Sequence, residues 1–322
     1  MSAGVTPLGA AGARVAIMAD EVGWHTRQLQ QALRERGASG RCIDLADCRI
    51  DTGHAWHGLA LPGFGRDLPD AVLVRGIAGG SFEQVTRRLG VLHALREFGV
   101  PVYNDARAIE RSVDKSMTSV LLHAAGVPTP PTWALESIDQ ARQVVMRESA
   151  AGHALVLKPL FGSQGKGLVR IGRVEGRQVD LPDLRRGYGR LAYLQRYIAP
   201  MTNPGHDWRV LVVGGRALAA MRRVSAHWVH NVAQGGRCEP EALDTGIGLE
   251  LARLAVAAAQ ALRMDYAGID LMPTPDGPVV IEVNGVAAWQ GLQRVTPVSI
   301  ARALVDDLFA RKVASRAGRR RA

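Results

Sequence analysis

The sequence lacks the features of a membrane-spanning or secreted protein. It contains no run of about 18 apolar residues, so no segment is expected to cross a bilayer as a helix. Its start has no basic stretch followed by an apolar core, so no secretory signal is predicted. The three cysteines form no CxxC pair. That argues against a disulfide framework or a thiolate zinc site, and it favours a reducing, cytoplasmic location.

The sequence also lacks a nucleic-acid-binding motif, although its net charge is +10. From Arg311 onward there are six basic residues and no acidic residue. We predict that residues 313–322 form a basic, disordered tail after the last helix. Because no aromatic residues are interleaved with the basic ones, no nucleic-acid partner is expected. A basic protein also suits a phosphate-rich small substrate.

Strands and helices alternate over the first third of the 322-residue chain. This alternation predicts a mostly parallel sheet with helices on its faces, as a small doubly wound domain over residues 1–106. No GxGxxG follows the first predicted strand, so a dinucleotide site is not expected. The predicted strands are 14–18, 41–45, 71–75 and 101–103, and the predicted helices are 24–36 and 82–98.

The pattern changes after residue 106. One or two helices are predicted before Gly126, and a strand, a glycine-rich loop and a second strand then follow without an intervening helix. We predict a central lobe over 107–194 and a C-terminal lobe over 195–312. The last lobe should contain a hairpin with a Gly-Gly turn, a long Ala- and Leu-rich helix over 243–263, a second hairpin and a closing helix.

The second hairpin carries three oxygen-bearing side chains. In the strand VVIEVN, Glu282 and Asn284 are two residues apart and should share a face, with Ile281 and Val283 on the other. Asp270 lies on the preceding strand, and the turn PTPDG should make the two strands antiparallel. Hard oxygen ligands of this kind suit magnesium or manganese. The alternative is an amphipathic hairpin whose polar residues face solvent.

A second candidate feature is the glycine-rich segment GSQGKG at 162–167. Its glycines allow close approach of the backbone to a ligand, but it lacks the Lys-Ser/Thr pair and the following helix of a Walker A motif. A flexible hairpin tip is the alternative. Lys158 ends a buried strand just upstream and needs a partner, for which a phosphate is a candidate. Lys115 is relevant only if it reaches the same cleft.

Arg222 and Arg223 are adjacent on a predicted strand, so their side chains should point to opposite faces and only one should reach a cleft. His227 and His230 have no third ligand at a suitable spacing, so a zinc site there is not expected.

Taken in order, these motifs resemble the ATP-grasp carboxylate–amine ligases, and among them the RimK-like glutamate ligases, over residues 70–310. The resemblance rests on DK at 114–115, VLKP followed by GSQGKG, LQRYI, DWRVLVVG, the Arg222-Arg223 pair, Asn231 before Gly-Gly, AGID and VIEVN. It implies an α/β (α+β) ATP-grasp fold preceded by a doubly wound pre-ATP-grasp domain.

The resemblance also implies roles for individual residues. Asp270, Glu282 and Asn284 would hold two magnesium ions, with manganese possible, and Arg222 or Arg223 would face the reacting carboxylate. Lys115 and Lys158 would contact the phosphates of ATP, and the loop of Gly162, Ser163, Gln164, Gly165, Lys166 and Gly167 would close over them. The hinge beside adenine would consist of Gln195, Arg196, Tyr197 and Ile198. Asp207 would lie near the ribose, and Asn231 is a further implied nucleotide-binding position.

Two positions depart from the family's pattern. Arg196 follows Gln195 in the hinge, where an acid is common. Val229 and His230 precede Asn231, where the family often has an arginine and a small hydroxyl residue. These departures concern substrate details more than the ATP site.

The resemblance implies an ATP-dependent ligase that forms an amide through an acyl phosphate. Trp289 and the segment Gly291-Leu292-Gln293 resemble the ligases associated with tetrahydromethanopterin- and methanofuran-type coenzymes at these positions. This resemblance favours addition of glutamate to a small-molecule precursor. Alternatively, Trp289 only packs against the C-terminal helix. A ligase acting on a peptide or protein terminus and a non-catalytic ATP-binding protein remain alternatives. A homo-oligomer is expected from the family.

Overall fold

The first sheet is parallel, as predicted. Its strands lie in the order β2 (Ser39–Ile43), β1 (Arg14–Met18), β5 (Ala71–Val74) and β6 (Val102–Tyr103). The computed structural model describes residues 11–53, 57–162, 165–230 and 235–314. A two-stranded ribbon of β3 (Arg49–Ile50) and β4 (Leu59–Ala60) lies where no strand was predicted. The elements are β1 (Arg14–Met18), α1 (Trp24–Glu35), β2 (Ser39–Ile43), β3 (Arg49–Ile50), β4 (Leu59–Ala60), β5 (Ala71–Val74), α2 (Phe82–Glu97) and β6 (Val102–Tyr103).

Two helices, α3 (Ala106–Val113) and α4 (Lys115–Ala124), connect this sheet to the rest of the chain. Asp114 separates them, because its side chain accepts hydrogen bonds from the backbone N–H groups of Ser116 and Met117 and so caps α4. Lys115 therefore begins a helix, and its side chain donates to the carbonyls of Leu160 and Gly162.

The second sheet is antiparallel, and its strands lie in the order β10 (Arg177–Val179), β9 (Val169–Val174), β8 (Ala154–Lys158), β11 (Ala192–Arg196) and β7 (Thr132–Leu135). Helix α5 (Ile138–Ala150) packs on it. Ser137 accepts a hydrogen bond from the N–H of Gln140 and caps α5, at the predicted start of that helix. The short strands β7 and β10 were not predicted, because neither shows a clear alternation of buried and exposed residues. The elements are β7 (Thr132–Leu135), α5 (Ile138–Ala150), β8 (Ala154–Lys158), β9 (Val169–Val174), β10 (Arg177–Val179) and β11 (Ala192–Arg196).

The third sheet is also antiparallel. Its strands lie in the order β14 (Arg237–Glu241), β13 (Arg216–Ser225), β12 (Gly205–Val213), β15 (Tyr266–Met272) and β16 (Val279–Asn284). Both predicted hairpins are present, and the Gly214-Gly215 turn joins β12 to β13. The long helix is shorter than predicted. The elements are β12 (Gly205–Val213), β13 (Arg216–Ser225), β14 (Arg237–Glu241), α6 (Ile247–Ala261), β15 (Tyr266–Met272), β16 (Val279–Asn284), α7 (Gln290–Gln293) and α8 (Ile300–Asp307), which continues as a π-helix over Leu308–Val313.

The two faces of the third sheet have different neighbours. On one face, residues such as Val210 and Ile269 form a buried core with α6. On the other, Leu211 and Met221 share a core with β1 of the first sheet and with the closing helix α8. Nearer the start of β12, the residues on this second face are the polar Asp207 and Arg209. The cleft therefore begins where the shared core ends.

Asn104 fixes the position of the β15–β16 hairpin. Its buried amide donates to the carbonyls of Tyr266 and Gly285, at 2.7 Å each, and accepts from the N–H groups of Asp265 and Tyr266. The start of β15 and the residue after β16 are thereby held against the N-terminal unit.

The closing helix ends two residues beyond the prediction, since helical geometry reaches Ala314. Arg311 and Lys312 form ion pairs with the buried Asp265. The predicted tail from residue 315 onward lies outside the described residues. Within the described part of the chain, no helix is both long and apolar enough to cross a membrane.

Candidate active site

The β15–β16 hairpin brings the predicted metal-binding side chains together. Asp270 is paired with Glu282 across the two strands, and Asn284 Nδ2 lies 3.5 Å from Asp270 Oδ2. A bulge shifts the register between Asp270 and Leu271 and leaves Ile281 without a partner residue. Ile281 therefore lines the cleft beside Glu282, and the prediction that it faces the opposite side is wrong. Val283 does face the α6 core, as predicted.

Asp270 is buried and is bound by two arginines. Arg209 donates from Nε and Nη2 to the two carboxylate oxygens at 2.7 Å each, and Arg223 Nη2 lies 3.2 Å from Oδ2. Burial raises the pKa of Asp270, but the two guanidinium groups outweigh burial and hold the pKa below its usual value. Asp270 is therefore ionised at neutral pH.

Arg209 was not among the predicted site residues. It lies two positions after Asp207 on β12, so the strand periodicity that places Asp207 on the cleft face places Arg209 there too. That spacing was the available signal for Arg209 in the sequence.

Arg222 and Arg223 point to opposite faces of β13, as predicted. Arg223 is buried and donates to both oxygens of Asp207 at 2.6 Å, so it is the arginine that reaches the cleft. Arg222 is half-exposed and pairs with Glu239 on β14. Arg222 is therefore not brought to the site.

His230 lies buried behind this pair, with Nδ1 3.9 Å from Asp207 Oδ2. Burial and the charge of Arg223 lower the pKa of His230 to about 4, so it is neutral at physiological pH. Asn231 lies outside the described residues.

The two predicted lysines converge on one cleft. Lys158, at the end of β8, donates to Gln195 Oε1 at 2.6 Å. Lys115 donates to the carbonyls of Leu160 and Gly162, at 3.2 and 2.9 Å, and so contacts the glycine-rich segment. Burial lowers the pKa of both lysines, that of Lys158 to about 8, while the Glu282 carboxylate opposes this effect. A buried pair of like charges of this kind favours binding of an anion.

The described part of the glycine-rich segment lies at the same cleft. Gly162, Gly165 and Lys166 line it together with both lysines. The carbonyl of Gly167 accepts a hydrogen bond from the Tyr188 hydroxyl at 2.9 Å. Ser163 and Gln164 lie outside the described residues.

The hinge predicted at residues 195–198 leaves few backbone N–H groups free for a ligand. The N–H groups of Arg196 and Tyr197 donate to the carbonyls of Pro131 and Ala154, whereas the N–H of Ile198 donates to no described group. Gln195 is buried at the cleft through its contact with Lys158.

The side chain of Arg196 does not face the cleft. It donates to Glu148 Oε2 on α5, at 2.7 and 3.1 Å. The arginine that departs from the family's acid is thus a structural partner of a buried glutamate.

Two cavities meet at Arg223 and Glu282. The smaller one is lined by the lysines, the glycine-rich segment and Asp207. The larger one, about 590 Å³, lies between the third sheet and the N-terminal unit. A nucleotide phosphate in the first and an organic substrate in the second would meet at these two residues.

The residues present suit a hard divalent cation. Two carboxylates and an amide lie on one face. Glu282 forms no hydrogen bond to another described residue, so its oxygens are available, whereas Asp270 would have to share with the cation the oxygens that accept from Arg209. Among the described residues there is no group of three or more His, Cys, Asp or Glu side chains that could hold a metal, so Asn284 would have to complete the set.

A family model for the RimK-like ATP-grasp domain matches residues 112–308, and one for the RimK pre-ATP-grasp domain matches residues 13–109. The chain belongs to the RimK-like ATP-grasp family. The predicted fold class and family are therefore confirmed, and so is the prediction of an ATP-grasp carbon–nitrogen ligase. The proposed domain boundaries and the roles of individual residues stay predictions.

Several curated relatives of this ATP-grasp protein carry glutamate ligase names. The tetrahydromethanopterin:alpha-L-glutamate ligase of Methanocaldococcus jannaschii is 35% identical over 76% of this chain and 80% of its own length. The probable alpha-L-glutamate ligase 2 of Hahella chejuensis is 31% identical over 88% of this chain and 90% of its own.

Solved structures of low sequence identity share the fold. The ATP-grasp ligase PsnB, complexed with a minimal precursor, Mg and ADP, superposes with a TM-score of 0.68 at 21% identity, over 94% of this chain and 98% of PsnB. The D-alanine–D-alanine ligase of Bacillus anthracis complexed with ATP has a TM-score of 0.63 at 16% identity, over 96% of this chain and all of the ligase.

Proposed function

We propose that this protein is an ATP- and Mg²⁺-dependent ligase that joins the α-amine of L-glutamate to a carboxylate of a small-molecule coenzyme precursor of the tetrahydromethanopterin or methanofuran type. The convergence of Lys115 and Lys158 with Glu282 and Arg223 carries this proposal, because two lysines suited to phosphate line a cleft that adjoins a second cavity large enough for an organic substrate. The names of the curated relatives support glutamate as the amine.

The first step activates the acceptor. A carboxylate oxygen of the acceptor attacks the γ-phosphorus of ATP, the bond from that phosphorus to the β–γ bridging oxygen breaks, and ADP leaves. Such a transfer depends on positioning and charge neutralisation rather than on a covalent enzyme intermediate. The ammonium groups of Lys115 and Lys158 neutralise the phosphates. Asp270, Glu282 and Asn284 would hold Mg²⁺, which supplies further positive charge to the transferred group.

The second step forms the amide. The amine nitrogen attacks the acyl carbon, the bond from that carbon to the phosphate oxygen breaks, and phosphate departs as the nitrogen loses its proton. Arg223 lies where the two cavities meet and stabilises the negative charge that develops on the acyl oxygen. No serine, cysteine or histidine nucleophile is needed.

The test is Mg²⁺-dependent release of ADP and phosphate from ATP, with glutamate and a set of candidate acceptors. We expect ADP release only with a particular acceptor, and a product heavier by one glutamyl residue in mass spectrometry. With ¹⁵N-labelled glutamate, the label should appear in the new amide. Release of AMP and pyrophosphate would contradict the proposed chemistry, and transfer of glutamate to a peptide terminus would identify a different acceptor class.

A further inference from the structure

The larger cavity lies at the carboxyl ends of β1 and β5, the two central strands of the first sheet. The chain runs from β1 to β2 on one side, whereas β5 lies on the other side, so this is the point where the strand order reverses. In open parallel sheets, ligands bind at such a point. The third sheet and the segment after β16 close the cavity from the opposite side.

Four arginines line this cavity, but they differ in their partners. Arg209 and Arg223 are committed to Asp270 and Asp207. Arg75 and Arg294 form no ion pair with a described residue. Arg75 and Arg294 are therefore the arginines of this cavity whose charge is not paired with a described carboxylate.

Arg75 directly follows β5 and is anchored from one side. Its Nη1 donates to the carbonyl of Ala287 at 2.9 Å, while its Nε is buried and has no hydrogen-bond partner among the described residues. That N–H lies inside the protein, so an anionic ligand would contact the part of the guanidinium group that lines the cavity, through a charge-assisted hydrogen bond.

Arg294 follows α7 on the C-terminal side of the cavity and is exposed. Arg75 and Arg294 thus belong to different parts of the fold, one to the N-terminal unit and one to the C-terminal lobe. A ligand with two negative groups could contact both.

His25 supplies a neutral donor next to Arg75. The N–H of Trp289 donates to His25 Nε2 at 3.1 Å, which places the proton of a neutral ring on Nδ1. Trp24 and Trp289 pack against the ring edge-on, at centroid distances of 5.1 and 4.8 Å. Burial, together with the charge of Arg75, lowers the pKa of His25 to about 4, so it stays neutral.

We propose that Arg75 and Arg294 bind the two carboxylates of the amine substrate, with His25 as an additional hydrogen-bond donor, and that they select a dicarboxylic amino acid. This inference rests on the proposed function, in which the amine of glutamate reacts and both of its carboxylates remain free. The two unpaired arginines match the number of these carboxylates.

The test compares L-glutamate with its two monoamides, L-glutamine and L-isoglutamine. In wild-type protein with Mg²⁺ and ADP, calorimetric titration should show glutamate binding more tightly than either amide. Arg75→Met and Arg294→Met should each weaken glutamate binding at least about tenfold, the usual effect of losing a charge-assisted hydrogen bond. Each variant should also lose its preference for glutamate over one of the two amides.

Arg302→Met is the matched control, because Arg302 is an exposed arginine on α8 that pairs with Glu35 away from the cavity. It should leave glutamate binding unchanged. Since Arg294 is exposed, its variant should fold and test the proposal even if the Arg75 variant does not.

The outcomes separate this proposal from the proposed function. Equal weakening for glutamate and both amides in the arginine variants, or no weakening at all, overturns the assignment even if amide formation is observed. Wild-type protein that does not bind glutamate also overturns it. Arginine-dependent glutamate binding without amide formation, for any acceptor tested, supports the binding site and counts against the ligase activity.

Discussion

Replacing Arg209 by leucine should destabilise the protein through the charge left on Asp270. Asp270 is 2% exposed and Arg209 13% exposed, and two hydrogen bonds of 2.7 Å join them. Removal of one partner from a buried ion pair typically costs 3–5 kcal/mol, because the other charge remains buried. Since Arg223 still contacts Asp270 at 3.2 Å, we expect a loss near the lower end, about 3 kcal/mol of unfolding free energy.

The assay is urea denaturation at pH 7 with EDTA present. Arg222→Leu is the control, because this neighbouring arginine is 43% exposed and solvent screens its pair with Glu239, so its loss should destabilise the protein much less. Neutralising the acid should relieve the effect, so that Arg209→Leu and Asp270→Asn together cost less than the sum of the single changes, by at least about 1 kcal/mol. Bound Mg²⁺ should also reduce the cost of Arg209→Leu.

Two results would refute this reasoning. One is a loss for Arg209→Leu no larger than that for Arg222→Leu. The other is strict additivity of Arg209→Leu and Asp270→Asn, since the two charges would then not interact.

The other predictions concern the phosphate site, the metal ligands and the hairpin anchor. Because the pKa of Lys158 is lowered to about 8, its charge in the free protein is present below that pH and is lost as the pH rises through it; ATP affinity should weaken above about pH 8 in calorimetric titrations. Lys158→Arg should remove this pH dependence, and an unchanged profile in that variant would count against it. Glu282→Gln should abolish ADP release while leaving the urea midpoint close to wild type, and full activity would exclude Glu282 as a metal ligand. Asn104→Ala removes four buried hydrogen bonds and should cost roughly 3–5 kcal/mol of unfolding free energy, whereas a loss below about 1 kcal/mol would show that the hairpin is held in another way.

Local patterns in the sequence predicted much of the site correctly. The antiparallel hairpin of Asp270 and Glu282 follows from two hydrophobic runs and a turn, and the opposite directions of Arg222 and Arg223 follow from strand geometry. The predictions that concern only which residues share a strand face were therefore reliable wherever the pairing was regular.

Irregular pairing and long-range contacts were not predictable in this way. The bulge that turns Ile281 into the cleft depends on the partner strand, and the pairing of Arg196 with Glu148 joins residues 48 positions apart. Neither leaves a periodic signal in its own segment, because periodicity reports burial and not the identity of the neighbour.

The sequence by itself determined the order of the elements, the family and the residue types available for chemistry, because strand and helix periods, caps and turns are local properties. Only the tertiary structure decided which of the arginines are paired with a carboxylate and which are not. Arg209 and Arg223 are neutralised by buried carboxylates, whereas Arg75 and Arg294 are not. All four are arginines in the sequence, and only folding determines whether an acid lies within hydrogen-bonding distance of each.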